Sequence, residues 1–434
     1  MSRRRFLQNA GMALAAGIAF PAVIPARALG RDGEVAPSNR IALGVIGLQQ
    51  GWNDGFVGSL NQRGVQGVAI CDVDGERVQN KLRELQKRDN GKGAVGYKDF
   101  REMFAKANLD AVVIGAPDHW HGIMGVTAAR AGLDIYGEKP LAHTLAEGRA
   151  IVSAVKQHGR VWQTGSWQRS RGNFYRAIEL VRNGRIGKLA RIEVGTHGGW
   201  GNKGGKPLPA TYGKPPAHLD YDLYVGPAQW HEYDPRVVHY NWRWTLHFGG
   251  GNLMDWVGHH VDIAHWGAGK DDTGPVKIEP IEADFSTDAP FDAERTYHYK
   301  CTYADGLVIE VNSASGTKFI GEDGRWLYVN RSGRRGNGLD ASDPAILKEV
   351  IGPEEYHPYK SDSHHANFID CIRTRRTTIT PAETAHRSAS VGHLGHISLI
   401  TGRTIHWDPV TETIKDDPAA SKLLAPSYRS PWVL

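Results

Sequence analysis

Cysteine is nearly absent: Cys71, Cys301 and Cys371 are scattered through 434 residues. That spacing excludes a disulfide framework and any CxxC metal knuckle. Beyond the first 28 residues no run of 18 apolar residues occurs, so no segment there is expected to span a membrane. The 20 histidines include no HExxH, and His259-His260, His364-His365 and His393-His396 lack a matching carboxylate or cysteine set. No metal is therefore expected. An excess of one charge is also missing from the body of the chain. The formal charge is +5, but Arg3, Arg4, Arg5 and Arg27 supply four of the 52 basic residues, with no acid before residue 29. A chain starting at Leu29 would carry 48 basic against 47 acidic residues, or +1. A nucleic-acid reader would keep a basic stripe in its folded part, so that class is set aside.

What is abundant is tryptophan (13) and glycine (52), on a composition 40% hydrophobic and 23% charged, that of a globular protein with a loop-rich site. Residues 2–7, Ser-Arg-Arg-Arg-Phe-Leu, form a twin-arginine pattern. An apolar stretch from Gly11 to Val23 and the small-x-small site Ala26-Arg27-Ala28 follow. A positive head, a short apolar middle and a small-residue end make an export signal over 1–28. The expected partner is the twin-arginine machinery, which carries folded proteins. The expected location is periplasmic or extracellular, with no stable membrane insertion after processing.

A polar linker, 29–40, precedes a strand–helix alternation. Ile41–Gly47, Val65–Asp72, Ala111–Gly115 and Leu133–Gly137 read as buried parallel strands. Helices are expected near Glu76–Lys87, Tyr97–Ala107, Gly122–Ala131 and Thr144–His158. This is the grammar of a doubly wound α/β Rossmann domain, here 41–160. From 161 to 415 the pattern becomes α+β. A long Gly/Pro/Tyr/Trp segment, Gly198–Trp244, leads to a helix over Asn252–Trp266 capped by Asn252. Period-2 runs follow at Lys277–Phe285, Thr296–Tyr303, Val308–Ala314 and Trp326–Asn330, with Asp305-Gly306 and Asp323-Gly324 as hairpin turns. They predict a large, mainly antiparallel, open-faced sheet. Residues 416–434 read as a C-terminal strap.

Strand Ile41–Ile46 turns through Gly47-Leu48-Gln49-Gln50-Gly51, a glycine turn that aims backbone N–H groups at a pyrophosphate. Gln49 stands where the second glycine of GxGxxG is usual, and would either crowd the phosphates or hydrogen-bond to them. Asp72, 25 residues after Gly47 at the end of the second strand, suits a ribose diol and repels a 2′-phosphate, favouring NAD over NADP. On the expected substrate helix, Asp255, His259, Asp262 and Trp266 fall at i, i+4, i+7 and i+11, one face. There Asp255 would orient His259 as a general base. Trp162, Trp167, Trp200, Trp242 and Trp244 surround this region with Arg243, and indole faces suit the C–H faces of a sugar or cyclitol.

Three stretches, Pro117-Asp118-His119-Trp120-His121, Glu138-Lys139-Pro140 and Gly249-Gly250-Gly251…Asp255…His259, occur in this order, followed by Gly402-Arg403, Trp407-Asp408, Tyr428-Arg429 and Pro431-Trp432. Together they make residues 41–434 resemble the Gfo/Idh/MocA oxidoreductases. The glycine turn is the departure from that pattern.

The resemblance implies NAD as cofactor. It places Lys139 against both cofactor and reacting hydroxyl, and Glu138 near the nicotinamide ribose. The loop Pro117–His121 would cover the cofactor, with Trp120 packing and His121 reaching the ribose; a plain core role for Trp120 is the alternative. Gln168 and Arg169 would approach the nicotinamide side, and Asp255 and His259 would be substrate contact and catalytic base. Arg169, Trp242, Arg243 and His260 complete the expected substrate contacts, with Asp262 a structural partner. The expected activity is hydride transfer to or from a secondary hydroxyl of a sugar, glycoside or cyclitol, by a homodimer or homotetramer with tightly bound, recycled NAD. Two alternatives are an NAD-dependent glycosidase working through transient oxidation and elimination, and a non-catalytic carbohydrate-binding protein.

Overall fold

In the computed structural model of the chain, the described residues are 35–36, 39–48, 64–199, 213–285, 290–331 and 338–434. The leader, Gln49, Gln50 and Trp200 lie outside them. Six parallel strands form the first sheet: β1 Ile41–Ile46, β2 Val65–Cys71, β3 Val95–Tyr97, β4 Ala111–Ile114, β5 Asp134–Gly137 and β6 Trp162–Thr164. Their spatial order is β3-β2-β1-β4-β5-β6. The apolar runs of β1 and β4 are buried on both faces because helices cover both sides. Asp74 caps the helix Gly75–Gln86 through the N–H groups of Glu76 and Arg77. Thr144 opens Leu145–Gln157 in a reciprocal capping box with Glu147. One cover comes from far along the chain: helix His364–Thr374 buries Phe368 and Ile369 against Leu43, Val45, Ile70 and Tyr136.

The second sheet has nine strands in the order β13-β12-β11-β7-β10-β9-β8-β14-β15, where β7 is Leu189–Thr196, β8 Lys277–Phe285, β9 Glu294–Thr302, β10 Val308–Asn312, β11 Ser315–Gly321, β12 Trp326–Val329, β13 Leu339–Ala341, β14 Ile405–Asp408 and β15 Thr413–Ile414. All named pairs are antiparallel except β7 with β10. Along β9, Tyr297, Tyr299 and Cys301 turn inward to the core while His298 and Lys300 face outward. Helices Gly172–Arg182 and Ala382–Thr401 pack on the inward face.

Five local readings are corrected. The first sheet continues past residue 160, because β6 is its sixth strand. A strand not anticipated from the sequence, β11 over Ser315–Gly321, follows the run expected at Val308–Ala314. Residues 97–99 precede the helix Phe100–Lys106 rather than belonging to it. The Asp-His-Trp-His stretch is no loop but the first turn of helix Asp118–Arg130, with Pro117 at its N-cap. The single helix over Asn252–Trp266 is three pieces: an α-helix Gly251–Trp256, a π-helical turn Val257–Val261, and an α-helix Asp262–Ala268. Gly250, not Asn252, is its N-cap residue. The Asn252 amide instead donates to the Gly198 carbonyl at 3.1 Å. The tail does form a strap: Tyr428 donates to Glu147 at 2.6 Å and Trp432 meets Trp120 edge-on, centroids 4.8 Å apart.

Candidate functional site at the carboxyl ends of the parallel strands

In an open parallel sheet the crevice opens where the strand order reverses, beyond the carboxyl ends of the strands. Here that point lies between β1 and β4. Gly47 ends β1 at φ 79°, and a Cβ there would come within 2.5 Å of the Gly115 backbone beyond β4. Only glycine allows this approach. A cleft opens beside it, lined among others by Gly47, Asp72, Pro117, Trp120, Tyr224 and Trp242. Asp72 accepts from Leu48 N–H at 2.6 Å and from Asp74 N–H at 2.9 Å, which ties the end of β2 to the β1 turn. Burial raises its carboxyl above the usual range.

The cleft continues into a smaller pocket lined by Asp118, His121, Glu138, Lys139, Trp242 and Arg243. Lys139, immediately after β5, is buried and donates from Nζ to Asp255 Oδ1 at 2.7 Å and to the Asp255 carbonyl at 2.9 Å. Arg243 Nε donates to the same Oδ1 at 3.2 Å, and its guanidinium stacks 4.4 Å from Trp242 and 4.6 Å from Tyr240. These two cations outweigh desolvation and hold the Asp255 carboxyl well below the usual carboxylate range. The neighbouring acids move the opposite way. Burial pushes Glu138 up to about 8 and raises Asp118 well above its ordinary value. At that value Glu138 is mostly protonated at pH 7 and able to donate a hydrogen bond. Asp118 Oδ1 and Trp242 Nε1 are buried without a protein partner. A glycine turn, a carboxylate at the end of β2 and orphaned polar atoms along the cleft fit a dinucleotide lying across it.

The expected Asp255–His259 pair is not formed. Asp255 spends its charge on Lys139 and Arg243, and the π turn breaks the 3.6-residue geometry between the two positions. His259 Nδ1 is buried and unpartnered, and the ring lies edge-on to Trp167 and Trp256, centroids 5.8 and 5.6 Å away. Desolvation first, then the Arg331 and Lys139 cations, keep it neutral. Four other assignments change. Arg169 is a buried fork onto Asp262 and Asp271, at 2.8 and 2.7 Å, rather than a group facing the cleft, and Asp262 is its buried partner. His260 points at the second sheet, with Nδ1 2.5 Å from the Gly195 carbonyl. His121 lies between the carbonyls of Pro140 and Ala116, at 2.8 and 2.9 Å, which spends its ring nitrogens on bracing two turns. The Gln168 side chain bridges the His259 carbonyl and Arg331 Nε, 3.0 Å from each, rather than facing the cofactor cleft. Trp120 lines the cleft and is buried edge-on against Phe100.

Of the tryptophans, Trp162 and Trp244 are core residues, Trp242 lines both parts of the cleft, and Trp167 stacks on arginines. Two residues escaped the sequence reading. Gly258 lies in the π turn, where a Cβ would meet Lys139 Cβ at 2.8 Å, so the turn can close onto Lys139 only with glycine there. Arg331 lies between two indoles. Neither belongs to a motif or a period that a single sequence displays.

Residues 41–166 match the oxidoreductase-family NAD-binding Rossmann fold, and 175–434 match that family's C-terminal alpha/beta domain. The chain belongs to the Gfo/Idh/MocA oxidoreductases. Among curated Gfo/Idh/MocA-like sequences it is 29% identical to myo-inositol 2-dehydrogenase of Thermotoga maritima over 148 residues, 34% of this chain and 42% of that protein. To glycosyl hydrolase family 109 protein 1 of a Shewanella species it is 27% identical over 215 residues, 44% and 45% of the two chains. The chain thus spans less than half the length of these relatives. Solved structures resemble the whole fold. WlbA dehydrogenase of Bordetella pertussis, in complex with NADH and UDP-GlcNAcA, has a TM-score of 0.62 at 20% identity over 85% of this chain and 98% of its own. Aldose–aldose oxidoreductase of Caulobacter crescentus has 0.60 at 20% over 85% and 99%. NAD is the cofactor this Rossmann domain accommodates. Among the described residues no cluster of three His, Cys, Asp or Glu side chains is arranged for a metal, and no helix is long and apolar enough to cross a membrane.

Proposed function

We propose that this chain is an exported NAD-dependent oxidoreductase acting on a secondary hydroxyl of a sugar, glycoside or cyclitol. The observation that carries the reading is Lys139, a buried ammonium fixed by Asp255 at the end of β5, beside the cleft. Bound NAD would supply the hydride acceptor or donor. The protein's part is electrostatic and positional. Lys139 would donate a hydrogen bond to the carbinol oxygen and stabilise alkoxide as it develops. Asp255 and Arg243 hold that ammonium in place. His259, a neutral imidazole with an unpartnered nitrogen, would accept the hydroxyl proton. Asp72 would take the adenosine ribose, Gly47, Gln49 and Gln50 the pyrophosphate side, and Pro117, Asp118, Trp120 and Glu138 the remaining length of the cofactor.

The leader would send the folded holoenzyme through the twin-arginine route to the periplasm or beyond, where free dinucleotide is scarce. NAD therefore stays bound and is recycled, and the outward face of the nine-stranded sheet pairs with another copy. The similarity to glycosyl hydrolase family 109 favours a second reading, in which oxidation is transient and permits elimination of an aglycone. The test is to denature the purified mature protein and quantify released NAD(H) and NADP(H). About one NAD per chain followed by hydride transfer on a glycoside supports the proposal, and aglycone release without net reduction selects the second reading. A protein that arrives empty and takes up no NAD overturns both.

A further inference from the structure

Arg331 lies on the substrate side of the site with no carboxylate partner among the described residues. Its guanidinium lies 4.2 Å from the Trp256 ring and 4.6 Å from the Trp167 ring, and the same two indoles flank His259. Its Nε is held by the Gln168 side chain at 3.0 Å, and Gln168 in turn holds the His259 carbonyl. The Nε contact and the two flanking indoles constrain the guanidinium, and the residue as a whole remains exposed. No carboxylate among the described residues lies within ion-pair distance of it, whereas Arg169 has two and Arg243 one. Trp167 also carries Arg171 at 4.8 Å.

The local charge does not balance. Among the described residues, Lys139, Arg243, Arg331 and Arg171 are four cations gathered near Asp255, while burial pushes the neighbouring Glu138 up to about 8 and so removes most of its negative charge at neutral pH. Partial burial brings Arg331 down to about 10, which leaves it charged at neutral pH. The surface around His259 is therefore poor as a platform for a neutral sugar ring, since guanidinium groups already lie over the faces of its indoles. It is well made for a planar anion: a preorganised guanidinium fork presents two parallel N–H donors at carboxylate spacing.

We propose that the substrate is a saccharide bearing a carboxylate, a uronic or related sugar acid, and that Arg331 receives that carboxylate while Lys139 addresses the hydroxyl to be oxidised. Gln168 is then a positioning residue, setting the angle of the fork relative to His259. This inference rests on the proposed sugar chemistry at Lys139, and its test is chosen to separate the two.

Holoenzyme with NAD would be titrated with matched pairs, methyl glucuronide against methyl glucoside and methyl galacturonide against methyl galactoside, following binding by calorimetry and turnover by the nicotinamide absorbance. At least one uronide should bind about tenfold or more tightly than its neutral partner, with an apparent Kd that rises with ionic strength. Arg331→Gln should abolish that preference and leave NAD binding unchanged, and Arg331→Lys should restore part of it. Preference in binding without hydride transfer would keep the anionic ligand and remove the oxidation chemistry. Equal binding of both members of every pair, binding of neither, or a preference that survives Arg331→Gln overturns the inference, whatever the enzyme then oxidises.

Discussion

Lys139 is worth most where its charge cannot leak into water. It is buried, within 2.9 Å of two Asp255 oxygens, so its position depends on that carboxylate rather than on its own flexible stem. Replacing it by alanine should lower kcat/KM by about 10² or more while NAD affinity, measured by fluorescence quenching, changes little. Asp255→Asn should behave differently. It leaves Lys139 and Arg243 together without an anion, and the variant should lose turnover and thermal stability together. Glu138 gives a pH signature. Its carboxyl titrates near 8 in the folded chain against an ordinary 4.5, so between these values the native state binds the extra proton and stability falls as pH rises. Glu138→Gln removes that dependence. The melting temperature of the cofactor-free variant should therefore gain on the parent protein steadily from about pH 5 to 8 and run parallel to it above; equal profiles would place the titration elsewhere.

At the scale of elements, the π turn Val257–Val261 brings the segment after Asp255 against β5. Gly258 allows the contact, with no room for a Cβ beside Lys139. Gly258→Ala should fold, since alanine suits a helical backbone, but it should push the turn off Lys139 and cut kcat. Unchanged kcat would mean the contact is slack. Downstream of the turn, Arg169 joins the fully buried Asp262 to the partly exposed Asp271. Arg169→Met strands a buried carboxylate and should cost about 3–5 kcal/mol, read from denaturant unfolding.

Across the whole molecule, the last residues reach back to the first domain. Trp432 meets Trp120 edge-on and carries Arg101 over its ring at 4.7 Å, and Arg429 pairs with Asp222 of the second domain at 2.7 Å. Because Trp120 lines the cofactor cleft, removing residues 426–434 should weaken NAD binding as well as lower the melting temperature. A truncated chain with full NAD affinity would show the strap to be only a fastening. Helix His364–Thr374 does comparable work on the other side of the parallel sheet, so neither domain is closed by its own stretch of sequence alone.

The order of residues already carried the alternation that makes the parallel sheet, the period-2 runs of the second sheet, and the placing of Gly47, Asp72 and Lys139 at strand ends. Those features are local: apolar runs, turn residues and spacing act within a few positions, and chain order carries them. Partnerships between side chains emerged only once distant segments packed together. Asp255 chose Lys139, 116 residues away, over His259, four away, because a buried ammonium needs a compensating charge more than a neutral imidazole does. The reading of one helical face failed because a π turn interrupts the 3.6 period there, and Arg169, His260 and His121 turned from ligands into braces because burial demanded partners for their polar atoms. Arg331 and Gly258 became visible only when distant segments met, since burial and charge balance are sums over the whole fold and no window of sequence contains them.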